Sequence, residues 1–176
     1  AAKLLADGEI LMWFQGRMEI GPRALGARSI LARADMPGLK DLLNLKLKRR
    51  VWYQPFCPSM LAEDAREILD GYDGRPEPFM TSAYRTKPEK RHLVAAVINV
   101  DGSCRPQIVE RDSASPFSAL LARYKELSGS GVILNTSFNL HGEPVVCSPA
   151  DAIRTFSETG IKTIVLGDRI ITKTES

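Results

Sequence analysis

Three short segments hold the residues best suited to binding an anion. The first runs Gly16-Arg17-Met18-Glu19-Ile20-Gly21-Pro22-Arg23-Ala24-Leu25-Gly26-Ala27-Arg28-Ser29. Glycine lets backbone N–H groups approach a ligand closely, a helix N-terminus favours negative charge, and arginine grips phosphate or carboxylate through paired donors. The same composition also suits a tight turn whose arginines face water. The second segment gathers Lys46, Lys48, Arg49 and Arg50 ahead of Trp52 and Tyr53. Its cations fit an anion site or the negative end of a helix, and its rings offer a face for stacking a base. The third, Asn135-Thr136-Ser137-Phe138-Asn139-Leu140-His141-Gly142-Glu143-Pro144, follows a short strand. Its amides and hydroxyls can bind phosphate or ribose and are equally the residues of ordinary turns.

What accompanies these segments narrows the chemistry. The chain has no Walker A sequence, no G-x-G-x-x-G, no G-x-S-x-G and no nucleophile beside a recognisable base. Cys57, Cys104 and Cys147 are odd in number and contain no C-x-x-C pair, so they read as reduced thiols. His92 and His141 lack neighbours at metal-ligand spacing, so no intrinsic metal site is expected. Arginine, lysine and polar donors without a nucleophile point to positioning and charge neutralisation, as phosphoryl and adenylyl transfer require.

The elements that must position these residues can be read from caps and periodicity. At 176 residues, with 44% apolar and 26% charged residues, the chain suits one globular domain, 1–176. Ala1–Asp7 reads as a short helix entering a strand, Glu9–Gln15. The glycine-rich segment is expected to run into a short helix before a strand near Ser29–Ala34. Leu39, Leu42, Leu43 and Leu47 keep helical spacing after Pro37. Pro55 and Pro58 break the following segment, and Leu61–Leu69 is helical. Asp70–Pro78 and Lys87–Arg91 read as loops. Leu93–Val100 and Gln107–Glu110 flank Asp101-Gly102, the turn dipeptide of a β-hairpin. Ser115-Pro116 and Ser148-Pro149 each announce a helix, stopped before Gly129 and at Gly160 respectively. Val132–Leu134 is a buried strand, and Thr163–Leu166 with Arg169–Thr172 forms a closing hairpin. Interleaved strands and helices give an α/β (α+β) class with a mixed sheet.

No apolar run reaches the ~18 residues of a spanning helix, and no secretion signal is evident, so no membrane is expected and the cytoplasm is the expected compartment. The net charge of +3 is too mild for general nucleic-acid binding and suits a local anion site.

The run Gln15 to Gly26, followed by Arg28-Ser29-Ile30-Leu31, resembles the signature of the NodU/CmcH O-carbamoyltransferases. Similar segments follow in order: Lys40-Asp41 with Asn44, Lys46 and Lys48; Pro55-Phe56; Val100-Asp101-Gly102-Ser103 with Arg105 and Gln107; and Asn135-Thr136-Ser137-Phe138-Asn139. Gly142-Glu143-Pro144, Pro149-Ala150-Asp151-Ala152 and the last hairpin extend the resemblance over essentially the whole chain. It implies a YrdC-like fold, an open twisted mixed sheet with flanking helices. It also implies the carboxy-terminal domain of an ATP-dependent O-carbamoyltransferase, in which carbamoyl phosphate and ATP yield carbamoyl-adenylate.

The resemblance further assigns residues and partners. Lys48, Arg105 and Ser137 match the catalytic positions, and Arg23, Arg28, Lys46, Asn135, Thr136 and Asn139 match substrate- and nucleotide-binding ones. ATP, carried with Mg, and carbamoyl phosphate are the implied ligands. An amino-terminal actin-like, metal-containing transfer domain of the same polypeptide is the implied partner, and a homodimer is compatible with the family. Three positions depart from the pattern: Gln54 where the family has Arg, Ala27 where it has Asn, and Asn99 where His is common. Gln54 removes a permanent charge from a polyanion site. It favours the competing reading, a degenerate nucleotide- or RNA-binding module without turnover.

Overall fold

A computed structural model describes residues 1–174. Helix α1 (Ala2–Ala6) leads into β1 (Leu11–Phe14), and β2 (Arg28–Arg33) returns antiparallel to it. Helix α2 (Gly38–Asp41) continues without a break as π-helical turns over Leu42–Leu47. Next come β3 (Cys57–Leu61), α3 (Ala62–Ile68), β4 (Tyr84–Arg85) and a 3-10 helix, Pro88–Val94. Strands β5 (Ser103–Cys104) and β6 (Gln107–Val109) precede α4 (Pro116–Ser128) and β7 (Val132–Ser137). The chain closes with α5 (Pro149–Ser157), β8 (Thr163–Leu166) and β9 (Arg169–Thr172).

Seven strands form one mixed sheet in the order β6-β3-β7-β2-β1-β8-β9, while β4 and β5 pair separately. Alternation along the strands feeds two cores. Leu11 and Trp13 of β1, Leu31 of β2 and Ile133 of β7 pack with Leu5 of α1 and with Phe117, Leu120, Leu121 and Tyr124 of α4. Met12, Phe14, Ile30 and Leu134 point the other way, against Leu39 of α2, Leu43 of its π-helical continuation, Ala65 and Ile68 of α3, and Ala152 and Phe156 of α5. Helices therefore cover both faces, as successive strand side chains on opposite faces demand.

The helices announced by Ser-Pro form as expected. Ser115 Oγ accepts from Ser118 N–H, and Ser148 with Asp151 completes a reciprocal capping box. Gly129 ends α4 in the left-handed region at φ 83°.

Three expectations are corrected. The glycine-rich loop reaches β2 with no intervening helix. The segment after Pro55 is not merely broken but contains β3. Pro58 is tolerated there because β6 pairs only from Ser59 onwards, so Pro58 has β7 alone as a neighbour. The hairpin around Asp101-Gly102 does not form. Pro88 starts a 3-10 helix that takes in the rest of the expected loop and the first residues of the apolar run, Leu93 and Val94, after which Ala96 and Val97 are buried in a turn. A short apolar run satisfies a compact helical segment as well as a strand. Ser103–Cys104 instead pairs with Tyr84–Arg85, and Gln107–Val109 runs parallel to β3.

Candidate functional site

The end of β7 lies between the start of β3 and β2, so Asn135 registers with Cys57 on one side and Leu31 on the other. Around this point the loop before β2, the loop before β3 and the residue ahead of β6 converge. They enclose a cavity of about 190 Å³ lined by residues that include Arg23, Arg50, Gln54, Arg105, Asn135, Thr136 and Ser137. No lining residue is a carboxylate, and among the described residues none of the three guanidiniums has a carboxylate partner.

Each arginine is placed differently. Arg23 is exposed on its loop. Arg50 is held by its Nε, which donates to Asn44 Oδ1 at 2.6 Å, and its guanidinium lies 4.5 Å from the Phe56 ring centroid. The buried Asn44 also donates through Nδ2 to the Trp52 and Gln54 carbonyls, both at 2.9 Å, and so shapes the whole turn that carries Arg50. Arg105 directs Nη2 at Cys57 Sγ, 3.3 Å away. Arg50 Nη2 and Arg105 Nε are both buried without an acceptor. Buried donors normally find partners, so these two are exceptions to the usual pairing at the cavity's cationic wall.

A second cavity of about 420 Å³ adjoins the first and shares Pro22, Arg23, Met80 and Arg105 with it; Ile20, Leu25, Phe79 and Thr81 complete much of its wall. The residues that this cavity adds to the shared ones are mostly apolar. Met80, common to both, holds φ 55° in the left-handed region that non-glycine residues rarely adopt. Its loop is anchored by the Glu77 carboxylate, which accepts from Ser82 Oγ at 2.7 Å and Tyr84 OH at 3.0 Å.

Lys48 lies behind the β7 turn rather than on the cavity wall. Its Nζ donates to the Ser137 carbonyl at 2.5 Å, the Asn139 carbonyl at 2.9 Å and Asn139 Oδ1 at 2.7 Å. Ser137 Oγ, 3.4 Å from the same ammonium, joins it to the cavity. Burial, reinforced by the Arg50 charge, pushes the Lys48 pKa down to about 7, against oxygen acceptors that favour the protonated form.

The residues assigned from sequence therefore divide. Arg23, Arg105, Asn135, Thr136 and Ser137 meet at one cavity, with Lys48 and Asn139 supporting the turn behind it. Lys46 lies apart, in a cavity of about 330 Å³ formed mainly by α2, its π-helical continuation and Ile161. Arg28 is internal: its guanidinium stacks 3.5 Å from the Phe14 ring centroid and donates to the Gln15, Gly16, Ala27 and Cys147 carbonyls. The glycine-rich loop does not offer its N–H groups to a ligand in the expected way. Glu19 Oε1 accepts from Leu25, Ala27 and Arg28 N–H, turning them inwards. Gly26 is required in this loop, because at φ 104° a Cβ would lie 2.3 Å from Phe117 Cγ. Arg50, named in the basic cluster but not among the residues the resemblance assigned, also lines the cavity. The signal available for it was its place at the end of the basic cluster, next to the Gln54 position.

Comparison with known proteins places the chain as a whole. The model of the carbamoyltransferase C-terminus family matches residues 2–173. Nodulation protein NolNO of Sinorhizobium fredii is 43% identical over 174 residues, covering 98% of this chain and 26% of that protein. Nodulation protein NolO of Bradyrhizobium diazoefficiens is 41% identical over 174 residues, covering 98% and 32%. The chain thus spans about a quarter to a third of the length of these curated relatives. Among solved structures, P. abyssi Sua5 complexed with L-threonine superimposes with a TM-score of 0.61 at 16% identity, covering 94% of this chain and 45% of that one. Full-length HypF in its phosphate- and nucleotide-bound form gives 0.60 at 19% identity, covering 89% and 19%. These likenesses establish the YrdC-like fold. Among the described residues no group of three His, Cys, Asp or Glu side chains is arranged to hold a metal, and no helix is long and apolar enough to cross a membrane.

Proposed function

Since the chain belongs to the carbamoyltransferase C-terminus family, we propose that it is the domain that binds carbamoyl phosphate and ATP and joins them as carbamoyl-adenylate. The observation that carries this reading is one cavity with three arginines, two of them with orphaned buried donors, and no carboxylate. Such a wall suits two polyanions brought together, whose mutual repulsion is the first obstacle to their reaction. The adjoining cavity has the size and character of a small-molecule site, about 300–1,000 Å³, and suits the base and ribose of the nucleotide. Any Mg²⁺ that accompanies ATP would be carried by the phosphates, since the wall offers cations rather than carboxylates.

Water first cleaves carbamoyl phosphate to carbamate and inorganic phosphate. A carbamate oxygen then attacks the α-phosphorus of ATP, the bond from that phosphorus to the α,β-bridging oxygen breaks, and pyrophosphate leaves. Arg23, Arg50 and Arg105 neutralise charge on the phosphate oxygens. Thr136 and Ser137 supply hydroxyls, and Lys48 adds its charge from behind through Ser137. The carbamoyl group then passes to a hydroxyl acceptor in a separate amino-terminal domain, a division of labour suited to a chain that matches only 26–32% of its relatives' length.

Pyrophosphate release from ATP tests the reading directly. It is expected only when carbamoyl phosphate is added, and Arg105→Gln is expected to lower it about a hundredfold, as loss of a donor to developing charge does. Release without carbamoyl phosphate, or none with it, contradicts the assignment. The chain alone is expected to modify no hydroxyl compound. A carbamoylated acceptor detected by mass spectrometry with this chain alone would contradict the separate transfer domain.

A further inference from the structure

Asn135, 2% exposed, walls the arginine cavity, and the two ends of its amide are unequally satisfied. Nδ2 lies 3.2 Å from the Ala24 carbonyl, 2.9 Å from Ser59 Oγ and 3.3 Å from Gln107 Oε1. Oδ1 is withdrawn from solvent and meets no donor. The orientation is dictated by the neighbours. A backbone carbonyl can only accept, so the end facing Ala24 must be the nitrogen. Gln107 is fixed in the same way, because its Nε2 donates to the Leu25 carbonyl at 2.8 Å and leaves Oε1 towards Ser59 and Asn135. Ser59 Oγ donates to that oxygen at 2.7 Å and keeps a lone pair for Asn135 Nδ2. Two successive carbonyls of one loop therefore lock the relay in a single sense. Turning either amide over would set oxygen against oxygen.

The unpartnered end of Asn135 is thus an acceptor, in a wall whose charged groups are all donors. Arg23, Arg50 and Arg105 call for the oxygens of an anion, whereas Asn135 Oδ1 calls for an N–H. Gln54, the other amide at the cavity, is exposed and can turn either end inwards. A small anion that carries an amide N–H beside its phosphate or carboxylate satisfies both demands, and one that carries a methyl group in its place satisfies only the first. A site built to hydrogen-bond a polar group rejects the analogue lacking it more strongly than an apolar pocket rejects a change of size.

We infer that Asn135 is the specificity-determining residue for a carbamoyl group over other acyl groups, with Ser59 and Gln107 as positioning residues that fix its Oδ1 as acceptor for the carbamoyl NH₂. This rests on the reading that carbamoyl phosphate occupies the arginine cavity. Acetyl phosphate, which replaces NH₂ by CH₃, and inorganic phosphate, which has no acyl group, separate the two claims.

Calorimetric titration of the chain with all three anions is the test. The chain is expected to bind carbamoyl phosphate at least tenfold more tightly than acetyl phosphate, about 1.4 kcal/mol. Ser59→Ala and Gln107→Met are each expected to bring that ratio near one while leaving inorganic phosphate affinity in place, a pattern that general loss of structure cannot produce. Equal binding of the two acyl phosphates by the unsubstituted chain overturns the inference and spares the functional reading. So does a ratio that survives in both variants. Failure of all three anions to bind overturns the functional reading and this inference with it. If neither variant folds, the ratio in the unsubstituted chain alone decides.

Discussion

Gln54 illustrates how a single side chain can be weighed once its place is known. It lines the arginine cavity, is exposed, and follows a turn whose carbonyls are held by Asn44. Arg50, four residues earlier, supplies to the same wall a guanidinium that Gln54 lacks, so the site keeps a cationic character despite the departure from the family pattern. Gln54→Arg would add a fourth guanidinium. A well-placed charge-assisted bond contributes about 1.5–3 kcal/mol, so affinity for carbamoyl phosphate or ATP is expected to rise about tenfold or more. Because the position is exposed, part of that gain should be screened as salt increases. Titration of both forms at low and moderate salt checks this, and equal affinities at both would place the new side chain in solvent.

At the scale of elements, the loop between β1 and β2 holds its shape through one carboxylate. Glu19 Oε1 satisfies three backbone donors, and Arg23 rides on the segment so organised. Glu19→Ala leaves part-buried N–H groups without acceptors, a loss of about 1–3 kcal/mol, and is expected to weaken phosphate binding by loosening Arg23. Glu19→Gln keeps an acceptor oxygen and should lose much less of both. Thermal unfolding and phosphate titration of the pair check the ordering, and equal losses would remove the acceptor argument. The expectation that this loop turns its N–H groups to a ligand is not met at Leu25, Gly26, Ala27 and Arg28, whose N–H groups bond within the segment, and the loop reaches the cavity at Pro22, Arg23 and Ala24. Helices α4 and α5 and the closing hairpin were legible because their signals are local: Ser-Pro starts, glycine stops and a two-residue turn. The partner of β6 was not, since pairing with β3 depends on residues nearly fifty positions away. The separation of Lys46 from Lys48 was legible, because residues two apart on a helix lie on opposite faces, and the π-helical turns, marked by the bond from Lys48 N–H to the Leu43 carbonyl, leave that relation in place.

The whole molecule registers the site through its stability. Lys48 is buried under the β7 turn without a counter-ion, and its pKa falls from 10.5 to about 7. In the unfolded chain it returns to the ordinary value, so between about pH 7 and 10.5 the unfolded state binds the extra proton and the folded state does not. Stability therefore rises with pH across that interval, by up to about 1.4 kcal/mol per unit from this group. Below about pH 7 both states are protonated and the full penalty of burying the charge remains. Cys104 acts in the opposite sense at higher pH: burial pushes its thiol up from 9.0 to about 12, so above pH 9 the unfolded state loses a proton that the folded state keeps, and stability falls. The carboxylates that are shifted, Asp35, Glu63, Glu77, Asp101 and Asp151, are all lowered and so exert their dependence in acid. The interval from pH 7 to 9 therefore isolates Lys48. Urea unfolding in this range should show stability rising with pH in the unsubstituted chain and a clearly flatter profile in Lys48→Met, whose side chain fills the space without a charge. The variant leaves the Ser137 and Asn139 carbonyls without their donor, so its absolute stability at pH 9 should be lower, and the difference between the two chains should narrow towards pH 7. Identical slopes would mean that Lys48 keeps its proton in the folded state throughout. Saturating phosphate should flatten the slope of the unsubstituted chain as well, because an anion in the arginine cavity favours the charged ammonium behind Ser137 and brings the folded-state pKa back towards its ordinary value.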